Sequence, residues 1–199
     1  MPELAVVLPT ITGREESLQR SIDSYEQTLE GEDYDIIVIQ DAPTWPEACN
    51  AGYYKSDSPY ILFGADDLDA EPGWYWFGRE ALIQRPMELP APRVFDNRGP
   101  DGTRQHANPK DGPDMELTHF TRVPLMSKQQ WEIVGPWPAI GYYADMWLSE
   151  KAKTLGIRTR NVYGFDFFHH WSQIGRIDGD PKQMDEYGWQ LNRLREEMV

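Results

Sequence analysis

Three aspartates follow a short apolar run in the stretch YILFGADDLDAEPGW. The run ends at Phe63, and Asp66, Asp67 and Asp69 come directly after it. Crowded like charges repel, so such a group either is solvated in a turn or holds a cation. Carboxylate oxygens are preferred ligands of Mg²⁺ and Mn²⁺, which complete their coordination with water and substrate phosphates. The stretch therefore predicts a divalent-metal site for a phosphate-bearing substrate, with a solvated turn as the alternative.

The three aspartates differ in their expected roles. Asp67 is the better candidate for a metal ligand, and Asp66 faces either a ribose or the water shell of the same ion. Asp69 stands just before Ala70, Glu71, Pro72 and Gly73, so we expect it to cap or solvate a turn. A cation bound here would stabilise a diphosphate as it leaves.

Three apolar runs of strand character precede or flank this group. They are LAVVLPT (4–10), YDIIVIQD (34–41) and YILF (60–63). The run from 14 to 29 has apolar residues at helical spacing, and residues 47–55 suit a short helix. Alternating strands and helices predict a mainly parallel sheet flanked by helices, in which ligands bind beyond the carboxyl ends of the strands.

The second half of the chain is less regular. The proline-rich segment 85–114 predicts loops, with a hairpin near 94–103. Further along, we expect a strand at 117–126, a short helix capped by Ser127 and a helix at 145–155. A closing strand then runs into FDFFHHW. The chain ends in a helix at 181–198, with Leu191 and Leu194 facing inward.

Composition limits the class of protein. With 199 residues and 40% hydrophobic residues, the chain fits one domain, divided as 1–84, 85–116, 117–180 and 181–199. The net charge of −14 disfavours nonspecific attraction to nucleic acid or anionic membranes. The single Cys49 excludes an internal disulfide and a cysteine-based zinc cluster. Without a long apolar run or a leader pattern, we expect a cytoplasmic protein with no membrane span.

Several motifs together resemble the GT-A fold glycosyltransferases, particularly family 2. They are VVLPTITGREESLQRSIDSY, IIVIQDA, ACNAGYYKSDSPYILFGADDLDAEPGW and GPWPAIGYYADMWLSEKAKTLGIR. The resemblance implies a single α/β domain of GT-A type, with a Rossmann-like nucleotide-binding sheet that is mixed, mainly parallel and flanked by helices. It further implies transfer of a sugar from a nucleotide-diphospho-sugar to a hydroxyl acceptor, with Mn²⁺ or Mg²⁺. The chain lacks the QxxRW pattern of processive synthases, so single-sugar transfer is expected.

The same resemblance assigns nucleotide contacts. Asp66 and Asp67 match the family's acidic motif, with Ala65 in place of the first acid of many members. The remaining positions at the nucleotide are Pro9, Thr10, Arg14, Asp41 and Asn50. Three of these side chains also have a structural alternative: Arg14 as a solvated helical residue, Asp41 as a turn cap, and Asn50 as a turn former.

Transfer to a hydroxyl needs a base that removes the acceptor proton. Asp145 aligns with the acid that inverting members place at the start of a helix, although Asp is also a common helix cap. Some members add a histidine to the metal shell, and His169 is favoured over His170 for this role. Adjacent strand residues face opposite ways, so only one of them reaches the metal. Packing among the aromatic residues is the alternative for both.

Other features leave alternatives open. A group of cationic residues, Arg98, Arg104 and Lys110, either closes over the diphosphate or is solvated. A set of aromatic residues forms either a stacking platform or core: Trp74, Trp76, Trp137, Tyr142 and Tyr143. Two further functions are kept, a nucleotidyltransferase of the sugar-nucleotide pyrophosphorylase type and a non-catalytic nucleotide-sugar-binding module. The acceptor stays open among small molecules, proteins, lipid-linked precursors and modified nucleic-acid bases, as does the oligomeric state.

Overall fold

The computed structural model describes residues 1–96, 105–106, 116–117, 123–140, 144–170 and 181–197, without the side chains of 105–106, 116–117 and 181–187. In this part of the chain the strands are β1 (Leu4–Thr10), β2 (Tyr34–Gln40), β3 (Tyr60–Phe63), β4 (Leu68–Ala70), β5 (Glu88–Asp96), β6 (Gln105–His106), β7 (Glu116–Leu117), β8 (Leu125–Ser127) and β9 (Arg158–His169). The helices are α1 (Glu15–Thr28), α2 (Trp45–Tyr53), α3 (Trp74–Gln84), α4 (Lys128–Val134), α5 (Ala144–Thr154) and α6 (Pro181–Glu197).

The first sheet has the strand order β2-β1-β3-β8. Strands β1, β2 and β3 are parallel, and β8 is antiparallel to β3. All seven residues of the central strand β1 are buried, which explains why its sequence is a continuous apolar run rather than an alternating one. The predicted parallel arrangement of the first three strands is therefore confirmed.

The second sheet has the strand order β4-β9-β5-β6, with β7 also paired to β9. Among the described strands of this sheet, β5 and β9 pair in parallel, and the pairs that involve β4, β6 and β7 are antiparallel. The molecule is thus a mixed α/β domain with two mixed sheets. The expected mixed α/β class is confirmed, but the strands form two sheets rather than one, because β4 pairs with β9 and not with the strands of the first sheet.

Two hydrophobic cores lie on opposite faces of the first sheet. Alternate residues of β1 divide between them: Ala5 and Val7 join the first core, and Leu4, Val6 and Leu8 join the second. Helices α2, α4, α5 and α6 supply the first core, whereas α1, α3 and β9 supply the second. No helix in the described part of the chain combines the length and apolar character needed to cross a membrane.

Most predicted elements are present with small changes in their ends. The bounds of β1 and β3 agree with the prediction, and α1 and α5 each begin within one residue of it. Ser127 caps α4 through a full capping box with Gln130. Leu191 is buried and Leu194 packs against the same core, as expected for the C-terminal helix.

Four predictions about the chain between residues 69 and 126 need correction. Residues 88–96 are not a loop but strand β5, which holds Pro90 and Pro92 beside an irregularity in its pairing with β9. The expected hairpin appears as the β5–β6 pair, slightly later than predicted. The single strand at 117–126 is wrong, because its two ends belong to different sheets, in β7 and β8. Asp69 lies in strand β4 rather than in a turn.

The aromatic residues that were candidates for a stacking platform are either core residues or exposed, where the structure describes them. Trp74 and Trp137 are core residues, whereas Trp76 is 59% exposed. The remaining candidates, Arg98, Arg104, Lys110, Tyr142 and Tyr143, lie outside the described residues.

Candidate functional site

The residues from 64 to 70, which carry Asp66, Asp67 and Asp69, are called the acidic segment. This segment begins at the end of β3, where β3 pairs with β1. The Gly64 amide donates a hydrogen bond to the Val7 carbonyl oxygen (2.8 Å). A Cβ at position 64 would lie 2.8 Å from Leu8 Cδ2 and 3.0 Å from Tyr25 Oη, so a side chain there would force these neighbours to shift. Glycine here lets the chain run closely along β1 and brings the following aspartates to the carboxyl ends of the strands.

Asp66 is held inside this edge. It is 3% exposed, and its two oxygens have separate partners. Thr10 Oγ1 donates a hydrogen bond to Oδ2 (2.6 Å), and Arg14 Nη2 lies 3.1 Å from Oδ1. Burial raises the pKa of this carboxyl group, although the Thr10 and Arg14 contacts act in the opposite direction. Pro9, the neighbour of Thr10, is buried in β1.

Asp67 lies between an arginine and a histidine. Its Oδ2 is 3.1 Å from Arg14 Nη2 and 3.5 Å from His169 Nε2. Burial would raise the pKa of Asp67, but the His169 and Arg14 contacts outweigh burial and lower it. The side chain of Asp67 is 21% exposed, so this carboxylate is reachable from outside whereas Asp66 is not. Neither aspartate is a solvated turn residue, and the solvated alternative for Arg14, itself 13% exposed, is wrong.

The two adjacent histidines contact different aspartates. His169 approaches Asp67, and His170 Nε2 lies 2.5 Å from Asp69 Oδ2. Arg20 Nε donates to the other oxygen of Asp69 (3.2 Å). This separation follows from the alternation of side chains along β9, which the sequence predicted. Asp66 and Asp67 are called the acid pair below, and His169 is the histidine that lies beside it.

Helix α1 positions the acidic segment through a stripe of hydroxyl groups, which the hydrophobic pattern did not reveal. Ser17 Oγ donates to the Asp66 carbonyl oxygen (2.8 Å), and Ser21 Oγ donates to the Leu68 carbonyl oxygen (2.6 Å). Ser24 Oγ accepts a hydrogen bond from the Ala70 amide (2.9 Å). The available signal was the repetition of Ser and Thr at spacings of four, three and four along one helix face, at 17, 21, 24 and 28.

Asp41 holds the loop after β1. Its backbone adopts a left-handed conformation (φ 54°), and its amide donates to the Thr10 carbonyl oxygen (2.9 Å). Its carboxylate accepts hydrogen bonds from the Thr12 amide and the Thr12 hydroxyl, both at 2.7 Å. These bonds, the backbone one first, lower the pKa of Asp41. The exposed Asp41 thus lies at the same sheet edge as Thr10, and its turn geometry agrees with the structural alternative as well.

Asn50 joins two distant segments. Its amide nitrogen donates to the Trp137 carbonyl oxygen, and its amide oxygen accepts from the Trp137 amide, both at 2.9 Å. Trp137 packs edge-on against Trp45, whose Nε1 donates to the Gly64 carbonyl oxygen (3.0 Å). Asn50 therefore supports the segment that leads towards α5 rather than filling a simple turn.

Asp145 lies in the first turn of α5 and is half-buried. Its Oδ1 accepts a hydrogen bond from the Met146 amide (2.8 Å), so it contributes to the helix start. Asp66 and Asp67 lie in the turn between β3 and β4, and their partners come from the end of β1 (Thr10), the N-cap of α1 (Arg14) and the end of β9 (His169). None of these elements is α5. The role of Asp145 as a base therefore stays a prediction.

The acid pair fits a metal that takes few protein ligands. No group of three or more His, Cys, Asp or Glu side chains is arranged around a cation position within the described ranges. Asp67 Oδ2 and His169 Nε2, 3.5 Å apart, offer one carboxylate oxygen and one imidazole nitrogen. Mn²⁺ accepts both atom types, and Mg²⁺ or Mn²⁺ at phosphate sites commonly keeps only one or two protein ligands. Asp66 is buried and has a partner on each oxygen, whereas the side chain of Asp67 is 21% exposed, so Asp67 and His169 are the candidate ligands.

No protein-family model matches this chain, and no curated protein matches it either. The resemblance to the GT-A glycosyltransferases therefore stays a prediction from the motifs, and the function is argued from the site.

Proposed function

We propose that this chain is a glycosyltransferase that moves a single sugar from a nucleotide-diphospho-sugar to a hydroxyl acceptor, with inversion and with Mn²⁺ or Mg²⁺. The observation that supports the proposal best is the meeting of Asp67 and His169 beside Arg14, at the carboxyl ends of parallel strands. Nucleotides bind at this edge in open α/β sheets.

Each group has a proposed part in the reaction. A divalent cation held by Asp67 and His169 would neutralise charge on the diphosphate leaving group. Asp66 would fix the end of β1 through Thr10 and keep Arg14 in place. Asp41 and the loop that it holds would contact the nucleoside. Asp145 would accept the proton of the attacking hydroxyl.

The first prediction tests the metal ligand against a matched neighbour. The purified chain is incubated with a panel of nucleotide sugars, with Mn²⁺ or with a chelator, and release of nucleoside diphosphate is measured. We expect Mn²⁺-stimulated release, and a loss of about 100-fold or more in Asp67→Asn because a ligand is removed. Asp69→Asn removes a carboxylate two residues away that pairs with Arg20 and His170, and it should retain most of the activity.

Two outcomes would contradict the proposal. Equal losses in Asp67→Asn and Asp69→Asn would show that the substitutions act through folding rather than through the metal. Release of pyrophosphate from a nucleoside triphosphate and a sugar phosphate would identify a nucleotidyltransferase.

One observation favours the non-catalytic alternative. Arg14 already neutralises Asp66 and Asp67, so the acid pair has a counter-charge without a cation. A module of this kind would bind nucleotide sugars in the presence of a chelator, measured by calorimetry, and would release no nucleoside diphosphate with any donor.

A further inference from the structure

One carboxylate oxygen has two neighbours at the acid pair. Asp67 Oδ2 contacts both Arg14 Nη2 (3.1 Å) and His169 Nε2 (3.5 Å). The same Arg14 nitrogen is 3.1 Å from Asp66 Oδ1, so a single guanidinium nitrogen joins the two aspartates. Arg14 therefore uses the very oxygen that a cation bound at Asp67 and His169 would need.

A guanidinium and a divalent cation cannot both stay on this oxygen without repulsion. Metal–oxygen bonds for these ions are about 2.1 Å long, so a metal on Oδ2 would lie within about 5 Å of the present Arg14 nitrogen. Like charges at that separation repel strongly in a partly buried site, where water screens them less than in bulk solvent. Binding of the cation must therefore weaken the Arg14–Asp67 contact.

Arg14 has unused capacity for a new partner. Its Nε is buried and makes no hydrogen bond. A guanidinium carries five donors in a planar fork that matches phosphate oxygens, and a buried donor without an acceptor is unfavourable. Arg14 also stands immediately before α1, at the N-cap position, and makes no side-chain capping bond. Its side chain can thus change partners without loss of a helix cap.

We propose that Arg14 is an exchangeable counter-ion: it neutralises Asp66 and Asp67 in the metal-free protein, and a divalent cation displaces it from Asp67 so that its fork binds the diphosphate that enters with the metal. This inference rests on the proposed function for the identity of the phosphate-bearing ligand. The competition between Arg14 and the cation does not depend on it.

Binding of Mn²⁺ alone tests the competition. Dissociation constants are measured by electron paramagnetic resonance titration for the wild type, Arg14→Gln and Arg14→Lys. We expect Arg14→Gln to bind Mn²⁺ about tenfold more tightly, within the range of ordinary coupling between ligands. Arg14→Lys keeps the competing charge and should stay near the wild type. Arg20→Gln is the matched control, because Arg20 also pairs from α1 with an aspartate, and its Mn²⁺ affinity should be unchanged.

Binding of inorganic pyrophosphate in the presence of Mn²⁺ tests the second half of the exchange. Calorimetry should show about tenfold weaker binding in Arg14→Gln and weaker binding in Arg14→Lys, which lacks the planar fork. Opposite effects of one substitution on the two ligands are the expected signature. Mn²⁺ binding that is unchanged or weaker in Arg14→Gln, or absent from both proteins, would overturn the proposal.

The wild-type protein provides a test that needs no variant. Reaction of arginines with phenylglyoxal is mapped by mass spectrometry, with Arg20 as the internal reference. Mn²⁺ should increase the reactivity of Arg14, and added pyrophosphate should decrease it again. No change at Arg14 on addition of Mn²⁺ would overturn the exchange. If the exchange is observed and no nucleotide sugar is consumed, the exchange stands and the glycosyltransferase proposal fails.

Discussion

Two neighbouring aspartates have opposite electrostatic environments. Asp66 is almost completely buried, and this burial raises its pKa. Asp67 is also desolvated, but the His169 and Arg14 contacts outweigh burial and lower its pKa. The pair therefore combines one carboxylate that fixes the strand end with another that stays ionised and open to a ligand. The sequence shows two identical residues, and only their contacts distinguish them.

The lowered pKa of Asp67 predicts a pH dependence of stability. A carboxyl group with a lower pKa in the folded state stabilises the fold above its unfolded value, near 3.8, and this contribution is lost as pH falls through the folded value. Asp67→Asn should therefore be less stable than the wild type at pH 6, by about 1.5–3 kcal/mol for a lost charged hydrogen bond. The difference should shrink below pH 4.

Urea unfolding of both proteins at a series of pH values measures this effect. Asp66→Asn is the useful comparison, because the raised pKa of Asp66 acts with the opposite sign: its contribution to stability falls as pH rises from the unfolded pKa through the folded pKa. A stability difference between the wild type and Asp67→Asn that stays constant from pH 6 to pH 3 would contradict the assignment.

At the scale of elements, α1 holds the acidic segment as well as the second core. Its apolar residues include the buried Tyr25, and its hydroxyl stripe bonds to the backbone between 65 and 70. Ser21 is the central member: it is fully buried and donates towards both the Leu68 and the Ala65 carbonyl oxygens (2.6 and 3.2 Å). The position of the aspartates thus depends on a helix that carries none of them.

Ser21→Ala should destabilise the protein by about 1–3 kcal/mol, because the Leu68 carbonyl oxygen loses its hydroxyl donor in a buried site. Chemical denaturation measures the change. Gln19→Ala, at an exposed position of the same helix, should change stability by no more than about 0.5 kcal/mol. Because Ser21 orients the acidic segment, we also expect weaker Mn²⁺ binding in Ser21→Ala. Mn²⁺ affinity equal to that of the wild type would show that the segment keeps its position without the stripe.

The elements that the sequence predicted are those with strong local patterns. Strand β1 is a continuous apolar run, and α1 has regular apolar spacing, so both follow from residues close in sequence. Strand β5 was missed because two prolines normally argue against a strand, and β4 was missed because it is three residues long and holds Asp69. Strands β4 and β5 both pair with β9, which is distant in sequence, so local patterns do not reveal them.

At the scale of the whole molecule, the acid pair lies at the junction of the two sheets. Strand β3 ends at Phe63 in the first sheet, and β4 begins at Leu68 in the second. The site is completed by His169 at the end of β9, whose Nε2 lies 3.5 Å from Asp67 Oδ2. The sequence indicated which residue types gather at the strand ends. It could not indicate that Arg14 joins both aspartates, or that Asn50 pairs with Trp137 across 87 residues.

In the proposed reaction, donor binding and proton removal would depend on different elements of the fold. Asp145 lies on α5, which packs in the first core, and the segment before α5 is anchored to α2 through Asn50 and Trp137. The acid pair is held instead by α1 and β9. A change at Asp145 should therefore leave the metal and the donor in place while it removes the base.

Asp145→Asn should bind the donor within about twofold of the wild type but transfer the sugar about 10²–10⁴-fold more slowly, the usual contribution of a general base. The amide keeps an oxygen that can accept the Met146 amide hydrogen bond, so loss of transfer would not reflect loss of the helix start. Glu150→Gln is the matched control, because Glu150 lies on the same helix and pairs with Arg195. Calorimetry measures donor binding, and nucleoside diphosphate release with an acceptor found by screening measures transfer. Transfer at the wild-type rate in Asp145→Asn would assign the base to another residue.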